Sequence, residues 1–331
     1  MPQSDTLNKM TPTLSAGDEI RVIAPSGAWQ PKRQATYDRA KQRLEALGLV
    51  VTYGKNIQAQ ERFKTGSVAE RLADLHDAYR DPKVKLVMAL HGGWSANALL
   101  PGMDWQLIAA NPKPLIGFSD ITVLVNALYA RTGVTQYLGP TYSTFGGKAA
   151  ADYTLESFKN GLFGTGPLQL RRSREWQRQR GSGPAKTRPW KILQPGTEQG
   201  VLLGGNLGTF YLLQGTPYLP AFDQPTILVV EDDDEAGRHS AVEFDRRFES
   251  LLQLPGVREN LRGVLIGRFQ PGSRVTMPDV VHIVQRLQLR GVPVIADMDF
   301  GHTMPLLTLP IGGTVQITTE GNRPRVNLLQ Y

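Results

Sequence analysis

The chain has 331 residues, of which 40% are hydrophobic and 20% charged, with a formal net charge of +7 and no cysteine. This length suits two domains of ordinary size or one large one, and the lack of cysteine excludes disulfides, thiolate nucleophiles and Cys-ligated zinc. Met1 to Ser15 has neither a basic nor an apolar leader pattern, and no stretch approaches the roughly 18 apolar residues of a membrane span, so the expectation is a cytoplasmic protein with no membrane partner.

Short apolar strands and helical patterns alternate through the first half: Ile20 to Ala24, Tyr37 to Leu47, Leu49 to Tyr53, Val68 to Tyr79, Val84 to Leu90 and Leu115 to Phe118. That alternation predicts a parallel α/β layer. Ser67 and Glu70 have capping-box spacing, and Val68, Leu72, Leu75 and Tyr79 then share one helical face. The run ending at Phe118 is followed by Ser119 and a second helical pattern, Asp120 to Tyr129. A serine there is either a helix N-cap or a nucleophile held at a sharp strand-to-helix turn beside free backbone N–H groups.

From Gly161 to Gly200 glycine, proline and charge dominate, with Trp176 and Trp190 as the large apolar exceptions. A linker is expected here, dividing the chain into segments 1–160, 161–200 and 201–331. Eight basic residues between Arg171 and Lys191 face one acid, Glu175, so this segment carries the whole excess charge. A basic loop on a neutral body argues against a broad nucleic-acid face while allowing a local anion site. Beyond it come the strand Val201 to Leu203, a helical Leu207 to Leu213, the strand Thr226 to Val230, a helical Val242 to Leu254, the strand Val264 to Ile266, a helical Met277 to Leu289 and the strand Val292 to Ala296. Short strands near Leu306 to Leu309, Val315 to Thr318 and Arg325 to Leu328 finish the chain.

A serine nucleophile needs a base and a carboxylate to orient it. Of five histidines, His76 and His282 sit in amphipathic helices and His239 in a charged loop, whereas His91 and His302 follow strand ends beside glycine. Glu231 closes the strand Thr226 to Val230, where α/β proteins build sites. The acids that follow it, Asp232 to Glu235, offer a metal site as an alternative, but they lack regular loop spacing, and neither metal nor cofactor is expected. His91-Gly92-Gly93 and Gly204-Gly205-Asn206 are either tight turns or places of close backbone approach.

Taken together, the chain resembles the LD-carboxypeptidase family, which includes the microcin C immunity (MccF-like) serine peptidases. The resemblance rests on Ala24-Pro25-Ser26-Gly27, Arg71 to Leu75, Gly92-Gly93-Trp94, Pro112 to Thr122 around Ser119, Gly204 to Leu207, Glu231-Asp232 and Phe300-Gly301-His302. It implies a fold of an N-terminal Rossmann-like parallel sheet domain and a C-terminal α/β domain with a small barrel-like sheet. It implies Ser119 as nucleophile, His302 as base, Glu231 as orienting acid, and the N–H groups of Gly93 and Asp120 as oxyanion donors, with His91 only lining the pocket. Gly92, Trp94, Asn206, Trp176 and Trp190 are expected to bind substrate, Trp176 or Trp190 by stacking on a nucleobase. The expected substrate is a muropeptide or a peptidyl or aminoacyl nucleotide, and a homodimer is expected. Two features depart from the common pattern: a longer link, Asp233 to Glu243, before Asp245-Arg246, and the long basic segment, which with Ser95 to Pro101 leans towards the immunity branch. A non-catalytic protein gripping an anion or nucleic acid is the alternative from a different class.

Overall fold

The computed structural model describes residues 13–147, 151–177, 184–186 and 189–331. Its first half runs β1 (Glu19–Ile23), α1 (Gln34–Glu45), β2 (Val50–Tyr53), α2 (Val68–Arg80), β3 (Val84–Ala89), α3 (Trp105–Ala110), β4 (Leu115–Gly117), α4 (Thr122–Thr132), β5 (Gln136–Leu138), α5 (Tyr142–Phe145) and α6 (Ala151–Phe163). The second half runs β6 (Leu168–Gln169), β7 (Glu175–Gln177), β8 (Pro184–Lys186), β9 (Lys191–Gln194), β10 (Thr197–Asn206), α7 (Leu207–Phe210), β11 (Thr226–Glu231), α8 (Ser240–Leu252), α9 (Val257–Asn260), β12 (Leu261–Gly267), α10 (Met277–Arg286), β13 (Val294–Met298), β14 (Leu309–Ile311), β15 (Thr314–Thr318) and β16 (Arg325–Gln330).

Strands β1 to β5 form a parallel sheet in the order β5-β4-β3-β1-β2, as the alternation of strands and helices predicts. The capping box of Ser67 and Glu70 is made in both directions and starts α2. The second sheet has a parallel centre, β10-β11-β12-β13, flanked by antiparallel β15, β16 and β6 on one side and β9 on the other. It is an open sheet of eight strands in linear order, and the barrel-like sheet expected from the resemblance does not form a closed barrel among the described residues.

Two features were not visible as local patterns. The segment 161–200 holds more than connecting chain, because its β6 and β9 are the two edges of the second sheet. Strand β14, late in the sequence, leaves the second sheet and pairs antiparallel with β5 of the first. The halves are thus joined through a shared sheet edge, and a single continuous apolar cluster runs from Leu75 and Leu124 to Val229 and Leu265. No helix among the described residues is long and apolar enough to cross a membrane.

Candidate active site

The site lies where strand ends of both sheets meet. β4 stops at Gly117, and Ser119 then takes φ +61°, a left-handed conformation uncommon for a residue with a side chain, before the chain enters α4. Its hydroxyl does not serve as a cap: Ser119 Oγ is 2.9 Å from His302 Nε2. The opposite ring nitrogen, His302 Nδ1, lies 2.8 Å from Glu231 Oε2. Glu231 is the last residue of β11, and His302 lies in the turn beyond β13, so the three side chains come from three separate chain segments. Gly301 has φ +101°, and a Cβ there would sit 2.8 Å from Glu231 Oε2, so only glycine lets this turn close over the carboxylate. The Phe118 ring stands edge-on to the imidazole at 5.5 Å and limits its rotation.

Electrostatics favour a charged imidazole. Burial works against the imidazolium, but the charge of Glu231 and its hydrogen bond outweigh it, with Asp233 and Asp232 adding to them, and His302 is raised from 6.5 to about 9. Asp232 is pushed up to about 6 by burial, with Arg247 opposing and the charges of Glu231 and Asp233 assisting.

The loop after β3 is tied to the serine turn by a buried network. The Asp120 carboxylate accepts from Ser26 Oγ at 2.5 Å, Ser95 N at 2.8 Å and Ala96 N at 2.9 Å. Buried Arg71 donates to the Pro25 and Ser95 carbonyls at 2.9 and 3.0 Å. This holds Gly92 against Ser119, where a Cβ on Gly92 would lie 3.1 Å from Ser119 Cβ, and Gly93 against Ser26 and Gly27. From the other side, Asn126 bonds reciprocally with the backbone of Gly204, at 2.8 and 3.1 Å, and Thr122 Oγ1 accepts from Asn206 N at 3.1 Å. Gly205, at φ +140°, leaves the room that α4 needs, since its Cβ would fall 2.7 Å from the Thr122 side chain.

A cavity of about 150 Å³ opens at Ser119, and Gly93, Trp94, Asp120 and Asn206 line it. Gly92 abuts the serine, and His91 turns aside, its two ring nitrogens near the carbonyls of Gly92 and Ala28. Trp176 and Trp190 lie elsewhere. Both are buried, 5% and 6% exposed. The Trp190 indole donates to Asp299 Oδ2 at 2.9 Å, and the Trp176 ring carries the buried Arg268 guanidinium 5.2 Å from its centre. Arg268 in turn pairs with Asp299 at 2.8 Å and Asp297 at 3.2 Å. The structure therefore places the two tryptophans as roots of the basic segment and not on the cavity wall, because their rings are consumed by this ion pair. Of the segment's basic residues, Arg178, Arg180 and Arg188 lie outside the described residues.

Sequence reasoning missed Asn126, whose only signal was a lone amide in the run Val123 to Leu128, and the carboxylate of Asp120, considered only for its backbone.

Residues 20–139 match the LD-carboxypeptidase N-terminal domain and residues 199–317 the LD-carboxypeptidase C-terminal domain. The chain belongs to the LD-carboxypeptidase family. YocD, a Bacillus subtilis protein provisionally named a carboxypeptidase, is 38% identical over 95% of this chain and 97% of its own length. The murein tetrapeptide carboxypeptidase of Pseudomonas aeruginosa is 30% identical over 92% of this chain and 94% of its own. Among solved structures, an MccF-like protein from Bacillus anthracis superposes with a TM-score of 0.94 at 34% identity, covering 98% of this chain and 100% of that one. The microcin C7 self-immunity protein MccF in complex with aspartyl sulfamoyl adenosine superposes with a TM-score of 0.86 at 26% identity, covering 97% and 98%. Membership, with these carboxypeptidase relatives, makes the chain a serine-type carboxypeptidase of this family.

Proposed function

We propose that the chain hydrolyses an acyl–nitrogen bond by covalent catalysis at Ser119. The observation that carries this is the unbroken line Ser119 Oγ, His302 imidazole, Glu231 carboxylate, at 2.9 and 2.8 Å. Neutral His302 takes the hydroxyl proton at Nε2 as Ser119 Oγ attacks the carbonyl carbon, while Glu231 accepts from Nδ1–H and offsets the charge that forms on the ring. The tetrahedral oxyanion is stabilised by the backbone N–H groups of Gly93 and Asp120, which line the cavity beside Ser119. The proton on Nε2 then passes to the leaving nitrogen, the C–N bond breaks, and a water deprotonated by the same imidazole releases the acyl group.

Two substrates fit this chemistry. One is a murein tetrapeptide, as the name of the Pseudomonas relative states for that enzyme; the other is an aminoacyl sulfamoyl nucleotide, as bound to MccF. Mass-spectrometric hydrolysis of a murein tetrapeptide and of an aminoacyl sulfamoyl adenosine, by the wild type and Ser119→Ala side by side, tests the reading. Cleavage that depends on Ser119 is expected. Turnover by Ser119→Ala at the wild-type rate would overturn the covalent mechanism.

A further inference from the structure

The two backbone donors proposed for the oxyanion, Gly93 N–H and Asp120 N–H, stand on different loops, and no strand pairing sets the distance between them. The β3–β4 ladder pairs Val87 with Leu115 and Met88 with Ile116 and goes no further. Beyond it the chain after β3 runs through Gly92 and Gly93 to a short 3-10 helix that begins at Ala96, while the chain after β4 runs through Ser119 and Asp120 into α4. A pair of donors works only where both lie about 2.7–3.1 Å from the place the oxyanion will occupy, so another contact must hold one loop against the other.

That contact is the Asp120 carboxylate. Its Oδ2 alone accepts three hydrogen bonds, from Ser26 Oγ at 2.5 Å, Ser95 N at 2.8 Å and Ala96 N at 2.9 Å. The two amides end the loop that carries Gly93. The hydroxyl is the loop's floor: Ser26 is fully buried, and a Cβ on Gly93 would collide with its Oγ. The next residue, Gly27, donates its N–H to the Gly92 carbonyl at 3.2 Å. Behind them Arg71 donates to the carbonyls of Pro25 and Ser95, and the charge of Asp120 supports a guanidinium that burial disfavours. Among the described residues none of the carboxylate's hydrogen bonds reaches Ser119, His302 or Glu231, which leaves it outside the proton path. Three donors on one oxygen favour a full negative charge, because charge-assisted hydrogen bonds are roughly twice as strong as neutral ones. An amide oxygen in the same place would hold the loop less tightly.

We propose that the Asp120 carboxylate is a positioning group that sets Gly93 at its working distance from Ser119, so that one residue supplies an oxyanion donor from its backbone and fixes the other donor through its side chain. This rests on the hydrolase reading above and adds a positioning residue to it. Its effect falls on the transition state, where the negative charge that both donors meet develops.

Ser26→Ala, Asp120→Asn and Asp120→Ala grade the loss of the contact: one bond of three, then the charge, then all three bonds. The substrate is whichever of the murein tetrapeptide and the aminoacyl sulfamoyl adenosine the wild type cleaves. Outright removal of an oxyanion donor costs roughly a hundredfold to a thousandfold in kcat, so a displaced donor is expected to cost about tenfold in the first two variants and about a hundredfold in the third. KM should stay within about twofold, and the pH limb set by His302 should not move, because ground-state binding and the base are untouched. Ser26→Ala keeps two of the three bonds and carries the test if Asp120→Ala does not fold. Hydrogen exchange in the peptide spanning residues 90–97 is expected to be at least about tenfold faster in the variants. Unchanged kcat in Ser26→Ala and Asp120→Asn, a loss carried by KM, or a pH limb that moves with the loss would overturn the proposal and leave the covalent mechanism standing. Absence of Ser119-dependent turnover in the wild type would instead sink the hydrolase reading, and exchange then decides on the loop contact alone: faster exchange supports it, and rates equal to those of the wild type overturn it.

Discussion

At the scale of single residues, the hydrogen-bonded line from Ser119 to Glu231 makes two predictions. Ser119→Ala and His302→Ala should each lower kcat by at least on the order of a thousandfold, and the double variant should be little worse, because groups that act as one unit are not additive. Rapid-quench or steady-state kinetics on the three variants would show it, and losses that multiplied in the double variant would argue for separate roles. The second concerns pH. Only neutral His302 can take the serine proton, and Glu231 raises the imidazole to about 9, so kcat/KM should climb with pH and level off above that value. In Glu231→Gln the raising charge is gone; the limb should move to lower pH while the plateau falls by at least about tenfold. A limb that stayed in place would show that Glu231 does not set the base. Stability follows the opposite course: the favourable Glu231–His302 interaction is fully present below the unfolded histidine value of roughly 6.5 and is lost as pH rises through about 9.

At the scale of elements, the serine is presented by the β4–α4 unit, and that unit is fixed to β10 by Asn126 and Thr122. Asn126→Leu would leave the buried Gly204 N–H and carbonyl without these partners, costing about 1–3 kcal/mol, and would let α4 shift against β10. Denaturant titration and kcat should both fall; a loss of stability with kcat intact would show that docking of α4 does not align the serine. The Arg268–Asp299 pair is a separate device, and Asp299→Ala would leave the buried guanidinium with Asp297 as its remaining carboxylate and the Trp190 indole without its acceptor, costing about 3 kcal/mol and loosening the roots of the basic segment, read as a lower Tm and earlier proteolysis within residues 171–191. Elements of this kind set the limit on what the sequence disclosed. The amphipathic helices and the parallel strands of both halves were legible because their periodicity extends over many residues, and Ser119, Glu231 and His302 stood out because each follows an apolar strand. β6 and β9 were not legible, since pairs and quartets of residues among prolines and arginines carry no period to read. The aromatic exceptions Trp176 and Trp190 suggested ligand stacking, yet an aromatic ring in a charged segment serves a buried ion pair equally well, and only the tertiary position of Arg268 distinguishes the two. Asn126 likewise gains its meaning only from β10, 78 residues away.

At the scale of the whole molecule, neither half holds the site alone: Ser119 follows β4 of the first sheet, while Glu231 ends β11 and His302 follows β13 of the second. Three connections close that gap. Strand β14 completes the edge of the first sheet against β5, α4 docks on β10, and the apolar cluster continues across the junction. Breaking any of them exposes apolar surface that belongs to both halves, at roughly 25 cal/mol for each Å². The two sheets should therefore lose structure together. Native-state hydrogen exchange read by mass spectrometry provides the test: the slowest amides of β3 and β4 and those of β11 and β12 are expected to exchange with the same opening free energy and the same denaturant dependence. Substituting Gly for Leu309 in β14 should lower both values by equal amounts, since it removes a fully buried side chain from the strand that joins the sheets. If the first sheet opened at markedly lower free energy than the second, the halves would be independent folding units, and the alignment of Ser119 with His302 would depend on their docking and not on one cooperative core.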